Sequence, residues 1–83
     1  MLPIGHGNFL QADEVVVVLA PDNAPAKKLR QRALKDGRLL VATAGKKTRS
    51  ILVTKSNHIV LSALSPEALR SRLDEAMAQK GHQ

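Results

Sequence analysis

The stretch "VVVVLAP", residues 15–21, constrains this chain more than any other. Four consecutive β-branched residues are stiff at χ1 and favour extended backbone. Successive side chains of a strand point to opposite faces, so an apolar run without alternation asks for cover on both. "QADE" before the run and "APDNAP" after it mark its limits, and residues 8–19 read as extended. One face can be covered by a helix. In a chain of 83 residues with few helices, the other calls for a second subunit.

Composition strengthens that expectation. A chain this short removes only about 60% of its unfolded surface on folding. Phe9 is the only aromatic residue, so Leu, Val, Ile and Ala must build nearly all the core. There is no cysteine, which excludes a disulfide scaffold and a thiolate zinc site and suits a reducing compartment. A partner subunit is then the available source of further stability. The apolar run is far below the roughly 18–20 residues that cross a bilayer, and no secretory pattern opens the chain. The expectation is one soluble, cytoplasmic domain over residues 1–83, with no membrane partner and a C-terminal tail fraying over about residues 78–83.

Gly, Pro and Asn punctuate the rest. "PDNAPAKKLRQRALKDG" predicts a helix capped by Asp22 or Asn23, with Pro25 in its first turn and Gly37 just past its end. Ala26, Leu29 and Ala33 form the side to bury, opposite Lys27, Lys28, Gln31 and Lys35. Strands are expected at 39–43, 48–54 and 58–64, joined by "AGKK" and "KSNH", and an antiparallel meander is their simplest arrangement. "SPEALRSRLDEAM" predicts a second helix, with Ser65 as cap, Pro66 at the first position and Glu67 at the positive end of the dipole. Its apolar stripe is Leu69, Leu73, Ala76 and Met77. The expected class is α+β: a small antiparallel sheet with two helices.

The net charge of +6 is concentrated. Residues 1–22 carry Asp13, Glu14 and Asp22 with no Lys or Arg, whereas residues 27–49 carry nine basic residues against Asp36 alone. A basic middle on an otherwise balanced chain points to a polyanionic partner; an ordinary solvated face is the other reading, above all for the first helix.

Catalytic and metal patterns are missing. "GHGNFL", residues 5–10, lacks the third glycine and the preceding strand of a dinucleotide fingerprint and reads as a glycine-permitted bend. His6, His58 and His82 have no ligand spacing, and His58 reads as a turn residue bonding backbone. No nucleophile elbow or paired carboxylates stand out. The expectation is therefore no enzyme, no cofactor, no metal and no small-molecule substrate.

"TAGKKTRS", residues 43–50, stands out instead. Lys46 and Lys47 are expected at a hairpin tip, with the forked guanidinium of Arg49 beside them, and phosphate is the anion that suits this set. No glycine-rich nucleotide loop surrounds the charges, so nucleic acid is favoured over a small phosphate compound. Single-strand binders stack bases on aromatic rings, and only Phe9 is present. Duplex DNA gripped through its phosphates is the consistent target.

The order "GHGN", "PDNAPAKKL", "DGRLLVATAGKKTRSILV" and "SNHIVLSALSPE", followed by an Arg-containing helix, resembles the RemA-like family of bacterial regulators of extracellular-matrix (biofilm) genes, over about residues 4–73. Its most specific parts are Asn23–Lys28 and Thr43–Arg49. The resemblance implies a non-enzymatic DNA-binding protein, nucleoid-associated, that assembles into a homo-oligomeric ring and presents repeated basic loops to duplex DNA. It places Lys46, Lys47 and Arg49 on the DNA-binding loop; Lys27 and Lys28 of the first helix are expected as further DNA contacts. Pro25 matches a structural proline at the helix start. One position departs: the family has a basic residue where this chain has Asp13 and Glu14, so Glu14 either opposes DNA or pairs with a neighbouring subunit. Two alternative readings would use the same basic surface: an RNA- or ribosome-associated protein, or an interaction protein with an acidic protein partner.

Overall fold

A computed structural model describes residues 1–81, with side chains to Ala78. A short hairpin comes first, β1 (Leu2–Gly5) with β2 (Asn8–Leu10), then a single 3₁₀ turn at Ala12–Glu14. There follow β3 (Val15–Leu19), α1 (Ala24–Lys35), β4 (Leu39–Ala42), β5 (Ser50–Thr54), β6 (Ile59–Ser62) and α2 (Pro66–Gly81). Both helices start as their sequences predict. The Asn23 side chain, rather than that of Asp22, accepts from Ala26 N at 2.8 Å, and Ser65 Oγ accepts from Ala68 N at 3.1 Å. "GHGN" forms the turn of the β1–β2 hairpin, with positive φ at Gly5, His6 and Gly7. Residues 8–19 are not continuously extended, because the 3₁₀ turn separates β2 from β3. The tail expected to fray, residues 78–83, extends past the described residues.

The α+β class stands, but the main sheet is not a meander. Its order is β3-β5-β6-β4, with β3 and β6 antiparallel to β5 and β4 parallel to β6. The reason lies in β6: Ile59, Val60, Leu61 and Ser62 are all buried, so this strand needs a neighbour on each side. A tight turn with Asn57 at φ 68° supplies β5, and β4 fills the other side. Residues 43–49 therefore cross two inter-strand spacings, about 10 Å, which seven residues span easily.

The sheet has a core on each face. Ile51, Ile59 and Leu61 pack under Ala26 and Ala33 of α1. Leu52, Val60 and Ala42 face the other way, onto Leu2 and Ile4 of the hairpin and Leu69 of α2. Leu29, expected in the buried face of α1, stays 38% exposed. Within one chain β3 is covered only in part: Val15 and Val18 pack against one core and Leu19 against the other, but it is an edge strand, with Val16 62% exposed.

Ser62 ties the hairpin to the sheet. It is fully buried; its Oγ donates to Ile4 O at 2.7 Å and accepts from Leu64 N at 3.1 Å. Ser62→Ala would leave both backbone groups without that partner, at about 1–3 kcal/mol. The expected result is a melting temperature lower by roughly 5 °C or more, measured by circular dichroism; an unchanged value would mean that the hydroxyl holds nothing in place.

Candidate nucleic-acid interface

Strand register places the basic segment at one end of the sheet. Leu19 pairs with Ile51, and both Ala42 and Ser50 pair with Ser62. The end of β3, the start of α1, residues 43–49 and the start of α2 consequently share that end. The connection is not the hairpin tip expected; it is an arch over the end of β6, because β6 lies between β4 and β5.

Local chemistry fixes the arch. Thr43 is buried, and its carbonyl accepts from Lys46 N at 2.9 Å. The two residues between have positive φ, Ala44 at 51° and Gly45 at 79°, the pattern of a type I′ turn. Glycine adopts this conformation freely, whereas alanine is strained there by about 1–2 kcal/mol. The far side of the arch is pinned by Arg49 N donating to Ser62 O at 2.8 Å and Ser50 Oγ donating to Leu64 O at 2.6 Å. Lys46, Lys47 and Arg49 are exposed between these anchors, so three cations ride on a fixed backbone.

Lys47 and Arg49 line a groove of about 320 Å³ with Asp22 from the connection between β3 and α1 and Glu67 from the first turn of α2. The sequence puts no acid next to the loop; the fold brings two. In the sequence Asp22 is recognisable only as a candidate helix cap and Glu67 only as a helix-start residue; neither signals a place beside the loop. These carboxylates bound the cationic surface on one side and leave Lys46 outside the groove lining.

The other residues expected to contact phosphate lie on α1. Lys27 and Lys28 are exposed near its start, at the same end of the sheet as the arch. Neither lines the arch groove; Lys28 instead borders a depression on the outer side of α1. Glu14 lies at the opposite end of the sheet. It precedes Val15, which pairs with Thr54, and its carbonyl accepts from Lys55 N at 2.8 Å. Within one subunit Glu14 therefore does not face the basic arch. His58 is a turn residue whose ring Nδ1 meets Ser56 Oγ at 2.9 Å rather than backbone. Among the described residues, no three His, Asp or Glu side chains come together as a metal site would require, and no helix is long and apolar enough to cross a membrane.

Comparison with known proteins adds an independent line. A model of the RemA-like family, described as extracellular matrix regulatory protein A-like, matches residues 1–73. A provisionally named regulatory protein of Fervidobacterium nodosum is 46% identical over 79 residues, covering 95% of this chain and 85% of that one. Similarly named proteins of Pseudothermotoga lettingae and Oleidesulfovibrio alaskensis are 43% identical over 79 residues and 49% over 72, covering 95% and 87% of this chain and 87% and 86% of their own.

Proposed function

The chain belongs to the RemA-like family, and from that membership we propose that it regulates transcription by binding duplex DNA, of extracellular-matrix (biofilm) genes in particular, without catalysing a reaction. The observation that carries this reading is the arch: Lys46, Lys47 and Arg49, exposed on a backbone anchored at both ends. Anchoring matters because a loop whose backbone is already fixed loses less freedom when phosphate binds.

Three cations give weak attachment, so we further propose that the chain acts as a homo-oligomeric ring. The topology supports a specific way of joining. β3 and β4 are the two edges of the sheet and carry no charged residue. Val16, Val17, Leu40 and Val41 on them are exposed. Uncharged apolar edges are templates for pairing with another chain. From the pairings, β3 and β4 run in the same direction. Head-to-tail pairing of β3 on one copy with β4 on the next would keep every copy upright, bringing all arches to one rim and every Glu14 to the other. Such an interface closes into a ring or grows as a filament. Several arches on one rim make binding intramolecular after the first contact, raising avidity by about 10²–10⁴.

A gel shift tests the function. The protein is expected to retard duplex DNA of arbitrary sequence, more weakly as salt rises, and to prefer it to A-form RNA of equal length. Stronger binding to the RNA would move the protein to an RNA or ribosomal role. Failure to shift either, with capture of an acidic protein that survives nuclease, would make it a protein-interaction module.

A further inference from the structure

α1 carries Lys27, Lys28, Arg30, Arg32 and Lys35 and no acid. Arg32 and Lys35 lie in the last turn, where the helix dipole favours cations, but the helix gains nothing from Lys27 and Lys28. Its first turn, where the dipole favours acids, contains none, and Lys27 and Lys28 follow directly. Lys28 with Arg32 and Arg32 with Lys35 are like charges at i,i+4 and i,i+3, which repel. Ala26 and Ala33 are fully buried against the sheet. At about 100° per residue, Lys28 and Lys35 point directly away from them, with Gln31 and Arg32 on either side.

Lys28, Gln31, Arg32, Lys35 and Asp36 together line a shallow depression of about 450 Å³. The one carboxylate among them is engaged elsewhere, since Asp36 pairs with Arg38 at 3.2 Å. Edge-to-edge joining of sheets would leave this outer side of α1 uncovered.

We propose that the stripe Lys28–Arg32–Lys35 is a second phosphate-binding surface, through which the protein holds a stretch of duplex DNA other than the one on its arches, and so bridges two duplexes. The occupant follows from the chemistry of the lining. A protein interface would have an apolar centre, and every residue lining the depression is polar or charged. A helix lying on a membrane would offer its apolar side to lipid, and here that side is against the sheet. From Lys28 to Lys35 the helix rises about 10 Å, which matches about three base-pair steps along a duplex axis at 3.4 Å each. The stripe faces outward along the length of α1, whereas the arch caps the end of the sheet, so one straight duplex on the arches does not lie along the stripe.

The inference rests on the proposed DNA binding, and a bridging assay separates the two. One duplex is tethered to beads, the oligomeric protein is added, and capture of a second, labelled duplex is measured. Wild-type protein is expected to bind the tethered duplex and capture the second. The variant Arg32→Gln, Lys35→Gln, which spares Lys28 because it is an expected contact of the first duplex, should still bind the tethered duplex but capture the second about tenfold less or worse. Lys55→Gln, Arg70→Gln removes the same charge elsewhere and should capture normally. If wild type binds without capturing, if the stripe variant captures fully, or if the two variants fall equally, the second surface is overturned while DNA binding stands. If wild type binds no duplex, both readings fall.

Discussion

Replacing Lys46, Lys47 and Arg49 together with alanine is expected to abolish retardation of duplex DNA at physiological salt while leaving the fold and its assembly intact. The three side chains are exposed, and the arch is fixed by groups the substitutions do not touch: the Thr43 carbonyl, Ser62 O, Ser50 Oγ and the backbone N–H groups of Lys46 and Arg49. Exposed substitutions of this kind usually change stability by no more than about 0.5 kcal/mol. The effect on binding is much larger. Each copy loses about three phosphate contacts, and the loss is multiplied over every arch engaged on the same duplex. The measurement is a gel shift alongside a melting curve and a solution mass. A triple variant with normal mass and melting temperature that still shifts DNA as wild type does would remove the arch as the contact.

Lysine at either open edge of the sheet should dissolve the assembly. Val16→Lys acts on β3 and Val41→Lys on β4; both valines are exposed, at 62% and 64%, so neither change opens a hole in the core. Lysine on an edge strand is a recognised block to edge pairing. A head-to-tail joint uses both edges, so each single variant is expected to sediment as a 9.0 kDa monomer at concentrations where wild type is oligomeric. Because avidity goes with the assembly, each should also lose about 10²-fold or more in DNA affinity although its arch is unchanged. Analytical ultracentrifugation decides the matter. A monomeric wild type would end the ring reading. Sensitivity at β3 alone would mean a two-fold joint in which β3 pairs with itself, placing arches at opposite ends.

The two sets of substitutions separate grip from multiplicity. The arch variant keeps its mass and loses DNA; the edge variants lose mass first and DNA as a result.

Much of this was legible in the residues. Asn23, Pro25 and Gly37 bracket α1 as capping rules require, and Ser65 and Pro66 start α2. The two turns that matter most, at 5–8 and 43–46, were marked by their glycines. Lys46, Lys47 and Arg49 stood out by local density. All of these depend on neighbours within a few residues, because caps, turn dihedrals and helical spacing are short-range. Family membership was legible for the same reason, in short segments that keep their order.

The sequence could not order the strands. β4, β5 and β6 are each short apolar runs, and a meander and the observed order satisfy the same periodicity. What decides is that β6 is apolar on both faces and must be flanked, a competition among strands distant along the chain that only the packed sheet resolves. That choice turned a presumed hairpin tip into an arch and brought Asp22 and Glu67 beside Lys47 and Arg49. It also sent Glu14 to the far end and left "VVVVL" as an open edge. The sequence by itself determined which segments are helix, strand and basic loop, because those are local free energies. The tertiary structure alone decided which end of the sheet each segment occupies and which edges remain unpaired, because backbone hydrogen bonds between strands carry no residue identity and are assigned by the burial of the whole.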